Sequence, residues 1–336
     1  MLPVPLSVPL PAPLSVPPPA PQPVSLSLVI PVYQNELNLE PLLGELARLK
    51  QRLEGGMEVV FVVDGSPDRS LDLLRERLPS APFPSRLIAL SRNFGSFPAI
   101  AAGLEAGSGD YFAVLAADLQ EPPELIAKFH EILSRRQADI VFGCRARRSD
   151  PWLSELFSRL FWWLYGAFIV TEMPTGGIDV FGCTRQVRDC LLGCTEADTN
   201  LIALLIWVGF RRQFVPYDRQ ARTAGKSAWT LRKKLKYSFD SIFNFTDLPI
   251  QLLLSVGAGG IAVGTVFACV LIFSKLTGRI PVPGYSAIVL AIIFFGSLTS
   301  LGLGIIGQYL WLTLQNARKR PKYIVASAEH YPEATE

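Results

Sequence analysis

The chain predicts an α/β domain with a mostly parallel sheet, followed by a membrane-anchoring helical hairpin. Three observations carry this. Short apolar runs alternate with helix-spaced segments from residue 25 past 140. Polar clusters stand directly after those runs. Two stretches near the C-terminus, 248–274 and 280–317, contain no Asp, Glu, Lys or Arg.

In chain order, residues 1–24 repeat Pro with Leu, Val, Ala and Ser and carry no charge, which predicts a disordered tail. They lack the basic region and the unbroken apolar core of a signal peptide. Segments 26–32, 58–63, 86–90, 111–116 and 139–143 then read as strands, and 37–52, 71–78 and 122–136 as helices. Ligands of parallel sheets bind beyond the carboxyl ends of the strands. Those positions hold Tyr33 and Glu36, then Asp64 to Ser66, then Arg92 and Asn93, then Asp118 and Gln120.

Each charge-free stretch exceeds the roughly 20 helical residues that cross a hydrocarbon core. Two membrane helices are expected near 250–273 and 288–314, rather than buried core helices, which seldom run so long without a polar face. Gly278, Pro281, Pro283 and Gly284 between them suit a hairpin loop. Lys226, Arg232, Lys233, Lys234 and Lys236 precede the first span, and Arg318, Lys319, Arg320 and Lys322 follow the second; the link holds only Lys275 and Arg279. The positive-inside rule therefore puts both termini and the α/β domain on the cytoplasmic side of the inner (plasma) membrane.

Composition agrees: 49% of residues are hydrophobic and 18% charged, below the ~25% of soluble domains. A net charge of +3 gives no reason to expect nucleic acid, and the basic residues cluster beside the expected spans, as lipid headgroups would require. Five cysteines and two histidines show no metal-ligand spacing, so reduced cytosolic thiols are expected.

Two motifs admit a plain reading. Asp64-Gly65-Ser66-Pro67-Asp68 is turn chemistry in which Asp68 or Ser70 caps a helix. Asp118-Leu119-Gln120-Glu121-Pro122-Pro123 is a possible helix start. Their conjunction at successive strand ends, ahead of a membrane hairpin, is harder to obtain from turns alone.

Ile30-Pro31-Val32-Tyr33, Val63-Asp64-Gly65-Ser66, Ser91-Arg92-Asn93-Phe94-Gly95 and Ala117-Asp118-Leu119-Gln120-Glu121-Pro122-Pro123 resemble the family 2 glycosyltransferases. Within that family the chain is similar to the polyprenyl-phosphate group, in its bacterial undecaprenyl-phosphate branch, over roughly 25–323. The resemblance implies a GT-A type nucleotide-sugar domain that transfers one sugar, with inversion, from a nucleoside diphosphate to a lipid phosphate for a cell envelope glycan, with UDP favoured as the nucleotide. It implies that Pro31, Tyr33, Glu36, Asp64, Ser66, Arg92 and Asn93 line the nucleotide pocket and that Asp118 and Gln120 sit at Mg²⁺ or Mn²⁺ and the diphosphate. Asp179, in Gly176-Gly177-Ile178-Asp179-Val180-Phe181, matches the catalytic aspartate, and Arg222 with Lys226 matches the basic segment before the membrane.

Clustered negative charge on a sugar diphosphate requires a cation and basic groups where charge develops. Mg²⁺ commonly uses one or two carboxylates with phosphate oxygens and water, which suits Asp118 with Gln120. Arg222 and Lys226 can bind phosphate or simply hold a loop to headgroups. Arg145, after the fifth strand, can reach the lipid phosphate or sit in a solvated loop. Asp179 either positions reactants and accepts a proton or merely stabilises a turn. Two departures from the family pattern stand out: Val63 stands where an acidic or amide residue commonly precedes Asp64, and Ala116 where the first carboxylate of an Asp-x-Asp pair is common, and the loss at Ala116 puts metal affinity or choice in question.

Trp152, Leu156, Leu160, Phe161, Trp162, Trp163 and Phe168, and then Leu231, Leu235, Phe239, Ile242 and Phe245 among basic residues, suggest interfacial segments, or alternatively contacts in a homo-oligomer or domain core. The expected organisation is thus 25–228 as the catalytic domain, 229–247 as an interfacial helix, 248–316 as the hairpin and 317–336 as a cytoplasmic tail. The alternatives are a catalytically weakened scaffold of the same fold and a processive polysaccharide synthase. The latter would carry more spans and a Gln-x-x-Arg-Trp motif.

Overall fold

A computed structural model describes residues 24–53, 55–145, 178–194, 201–219 and 284–334, with isolated positions 255, 256, 259, 262, 266, 269, 273 and 277. Among these residues, β1 (Val24–Val32), β2 (Gly56–Val63), β3 (Ser85–Leu90), β4 (Tyr111–Val114), β5 (Ile140–Arg145), β6 (Ile178–Thr184), β7 (Arg212–Tyr217) and β8 (Val325–Tyr331) form one sheet. Its order is β7-β5-β6-β4-β1-β2-β3-β8. β1 pairs parallel with β2 and β4, β2 with β3, and β5 with β7; β6 and β8 run antiparallel to their neighbours. The α/β class with a mostly parallel sheet therefore holds.

Strand residues alternate between two cores, as the period of two requires. Leu28, Ile30, Val32, Val59, Phe61 and Val63 face a layer containing α1 (Leu39–Arg52), α2 (Ser70–Arg77) and α4 (Glu124–Ser134). Val29, Val60 and Val62 face α3 (Ser96–Ala106), α5 (Arg185–Gly193) and α6 (Leu201–Trp207). In α1 the buried residues Leu39, Leu42, Leu46 and Leu49 recur at helical spacing, each worth about 1.5–3 kcal/mol on burial. Gly103 lets α3 lie against the sheet, since a Cβ there would come 2.3 Å from Val29 Cγ1.

Segment 317–336, expected as a tail, supplies β8 instead. Its backbone completes the open edge of β3, Ser91 N–H donates to Ile324 O at 2.9 Å, and Arg75 pairs with Glu329 at 2.7 Å. An edge strand with an unpaired row of donors and acceptors is a liability that such pairing removes. The end of the preceding helix, α7 (Tyr285–Ala317), is thereby tied to the α/β domain through residues 318–324.

Among the residues whose side chains are described, which exclude several in α7, no helix is long and apolar enough to cross a membrane. The two-helix hairpin is accordingly not established. Its expected first helix lies outside the described residues apart from single positions. The expected second lies within α7, a helix of 33 residues with no Asp, Glu, Lys or Arg. The proposed interfacial segments 152–168 and 231–245, and the N-terminal tail up to residue 23, also lie outside the described residues.

Candidate active site

Strand direction gathers the candidate residues. β1, β2, β3, β4, β5 and β7 all end at one edge, and β6, being antiparallel, begins there. Across the sheet that edge carries Arg219 after β7, Arg145 at the end of β5, Asp179 as the second residue of β6 and Asp118 with Gln120 after β4. Tyr33 to Glu36 after β1, Asp64 to Ser66 after β2 and Arg92 with Asn93 after β3 follow. β1 has β4 on one side and β2 on the other, so chain order reverses beside β1, where open α/β sheets form their ligand crevice.

The Asp64 motif joins three strand exits. Asp64 is 3% exposed, and its two carboxylate oxygens accept from Phe94 N–H at 2.7 Å and Gly95 N–H at 2.8 Å. Burial pushes its pKa up, and the two amides and the Arg92 charge counter only part of that. Gly65 adopts φ +56°, and a Cβ there would lie 2.3 Å from the Arg92 carbonyl carbon and 2.4 Å from Asn93 N. Only glycine allows this approach. Ser66 Oγ accepts from Gln34 N–H at 2.8 Å and donates to Asp68 at 2.6 Å. Asp68 also accepts from the amides of Glu36 and Ser70. Burial raises its pKa, but these donors together bring it below the usual carboxylate range. The turn reading thus holds for Asp68, whereas the expected cap does not: Arg69 is the N-cap of α2 and no side chain caps it. The Asp68 bonds preorganise the crevice wall.

Backbone strain marks both banks of the crevice. Gln34 has φ 55° and Leu119 φ 54°, left-handed values that cost a non-glycine residue energy. At Leu119 this turns the chain between Asp118 and Gln120, whose N–H donates weakly to Asp118 Oδ1 at 3.4 Å. Tyr33 is exposed, and its N–H donates to Asn35 Oδ1 at 2.9 Å; Pro31 and Glu36 are half-buried, and Glu36 accepts from Arg69 N–H. The Arg92 guanidinium lies 4.0 Å from the Phe94 ring centre and donates to Asn93 O.

Asp118 and Gln120 offer one carboxylate and one amide oxygen, and Ala116 adds nothing. Among the described residues no group of three His, Cys, Asp or Glu side chains is placed to hold a metal. The donor set fits a divalent ion only if diphosphate oxygens and water complete its shell, as Mg²⁺ commonly requires.

The sequence reading missed Glu121, 2% exposed, which faces Tyr217 OH at 3.5 Å and Arg219 Nε at 3.8 Å. It also missed Arg219, which donates through Nη2 to Gln120 Oε1. The available signal was a basic residue two positions beyond Tyr217 and three before Arg222. The structure brings Arg145 and Asp179 to this edge; the Asp179 side chain, Arg222 and Lys226 lie outside what it describes.

Residues 27–187 match glycosyl transferase family 2. An uncharacterised glycosyltransferase of Synechocystis is 32% identical over 90% of this chain and 95% of its own length. The undecaprenyl-phosphate 4-deoxy-4-formamido-L-arabinose transferase of Pseudomonas syringae is 30% identical over 89% of each chain. The bactoprenol glucosyl transferase of Shigella phage SfV is 29% identical over 90% of this chain and 98% of its own. With similarity running through nearly the whole length of such relatives, and the family's motifs collected at one edge of a GT-A-like sheet, the chain belongs to glycosyl transferase family 2 and is a glycosyltransferase.

Proposed function

We propose that the protein transfers a single sugar from a nucleoside-diphosphate sugar, UDP-linked in preference to GDP-linked, to a polyprenyl phosphate such as undecaprenyl phosphate, with inversion. The observation that carries this reading is the conjunction of Asp118, Gln120, Asp179 and Arg145 on one sheet edge with the strained crevice beside β1. The names of the relatives from Pseudomonas and Shigella phage support a polyprenyl acceptor.

In this reading Pro31, Tyr33, Glu36, Asp64, Ser66, Arg92 and Asn93 shape the nucleotide pocket, several of them through the bonds that hold its wall. Asp118 and Gln120 would hold Mg²⁺ or Mn²⁺, which would offset the charge of the diphosphate. A phosphate oxygen of the acceptor attacks the anomeric carbon. The new C–O bond forms as the bond to the β-phosphate oxygen breaks, and the nucleoside diphosphate departs with that electron pair. The acceptor is already an anion and needs little deprotonation, so Asp179 positions it and takes a proton from its monoanionic form. Arg222, Lys226 and Arg145 bind the acceptor and leaving phosphates.

The reaction is proposed to occur at the cytoplasmic membrane face. α7 supports this: it is about 50 Å long at 1.5 Å per residue and exposes Ile288, Ile292, Phe294, Leu303, Ile306 and Leu310. Lipid would cover these groups, and a homo-oligomer belongs to the same proposal.

The test is transfer from radiolabelled UDP- and GDP-sugars to undecaprenyl phosphate by purified full-length protein, beside Asp179→Asn. A labelled lipid made from one donor and lost by at least about 100-fold in the variant is expected. Folded protein that binds no nucleotide and transfers no sugar from any donor would refute the reading.

A further inference from the structure

We infer that Arg219 is a donor-binding residue that grips the leaving diphosphate; this rests on the proposed function, in which Asp118 and Gln120 mark the diphosphate end of the crevice. Arg219 follows β7, at the far side of the sheet from the nucleotide-side motifs, yet its guanidinium reaches across to the segment after β4. Nη2 donates to Gln120 Oε1, and Nε faces Glu121 Oε1 at 3.8 Å. Glu121 is 2% exposed and has the Tyr217 hydroxyl against the same oxygen. A carboxylate so deeply placed fixes the orientation of the cation beside it more than it neutralises a solvent charge.

The guanidinium is a planar fork of five N–H donors. Its Nε and Nη2 side is turned to Gln120 and Glu121. Among the described residues nothing accepts from Nη1, and the Arg219 side chain is 30% exposed. That leaves a preoriented donor edge beside Gln120, where the charge on a departing diphosphate increases. Such a group binds a diphosphate more strongly than a monophosphate, because its partner is the outer phosphate rather than the nucleoside. Arg219 also stands three residues before Arg222.

The test is calorimetric titration of full-length protein in detergent with UDP and with UMP, in the presence of Mn²⁺, for wild type, Arg219→Ala and Arg219→Lys. GDP and GMP are run as a second pair. Loss of one charge-assisted hydrogen-bonding fork should weaken diphosphate binding by about tenfold or more in Arg219→Ala, leave monophosphate binding unchanged, and give an intermediate loss in Arg219→Lys. An unchanged diphosphate affinity overturns the inference. So does equal weakening of both nucleotides, which would assign Arg219 a purely structural role through Gln120 and Glu121. If wild type binds neither UDP nor GDP, the proposed function itself fails, and this role with it. Should the alanine variant not fold, Arg219→Gln, which removes the charge and keeps a donor, is read in the same way.

Discussion

Replacing Gly65 by alanine isolates the contact that holds the crevice wall. The added Cβ would lie 2.3, 2.4 and 2.7 Å from Arg92 C, Asn93 N and Arg92 Cα, all backbone atoms that no rotamer change can move. Ordinary contact at about 3.5 Å requires the two loops to part by roughly 1 Å. That displacement stretches the bonds from Phe94 N–H and Gly95 N–H to Asp64, now 2.7 and 2.8 Å, and leaves a carboxylate of 3% exposure poorly paired. The left-handed φ of +56° adds about 1 kcal/mol for a residue with a Cβ. With two hydrogen bonds to a charged group worth about 1.5–3 kcal/mol each, a total loss of up to about 4–7 kcal/mol is expected. Gly44 supplies the opposite control. It lies within α1, where an added Cβ would meet nothing within 4 Å, so Gly44→Ala should stabilise by about 0.5–1 kcal/mol. Denaturant unfolding of both variants in detergent, with UDP titration of the folded protein, measures this. A Gly65→Ala protein within about 0.5 kcal/mol of wild type, binding nucleotide normally, would refute the argument.

Glu58, 2% exposed, accepts from Ser27 and Ser108 hydroxyls and Ser108 N–H and faces Arg86 at 3.2 Å. Burial raises its pKa, but these partners together bring it below the ordinary 4.5. Its stabilisation is therefore full above that value and is lost as pH falls through the lower folded pKa; Glu58→Gln should cost about 1–3 kcal/mol at pH 7 and progressively less in acid, as read by unfolding at several pH values. Deleting residues 321–336 should destabilise the domain by a few kcal/mol, at about 1 kcal/mol net per ladder bond lost from β3, and promote aggregation; equal thermal midpoints would count against a structural role for β8. Chelation should weaken UDP binding by at least about tenfold and UMP binding less, since Asp118 and Gln120 would hold a cation that offsets the charge of the diphosphate; equal effects on both would count against that role.

Much of the domain was legible from local pattern. Strands 26–32, 58–63, 86–90 and 111–116 correspond to β1 to β4, and helices 37–52, 71–78 and 122–136 to α1, α2 and α4, within a few residues. Each carries an apolar period that survives without knowledge of its neighbours. β8 was not legible: residues 325–331 alternate between exposed and half-buried positions and carry polar groups, so only the open edge of β3 makes them a strand. The same holds for Gly65. Its sequence context signals a turn, but the need for glycine comes from Arg92 and Asn93, 27 and 28 positions away.

The amino-acid sequence by itself determined the class of the fold, the family motifs and the charge-free C-terminal stretches, because periodicity and composition act over a few consecutive residues. Tertiary structure decided which polar groups share an edge and what each one does there. It gave Asp64 to the loop after β3, Asp68 to the turn after β1, and Arg219 to Gln120 and Glu121. Those assignments depend on strand order and direction, which bring together side chains separated by as many as 99 positions in the chain, and no local pattern encodes that distance.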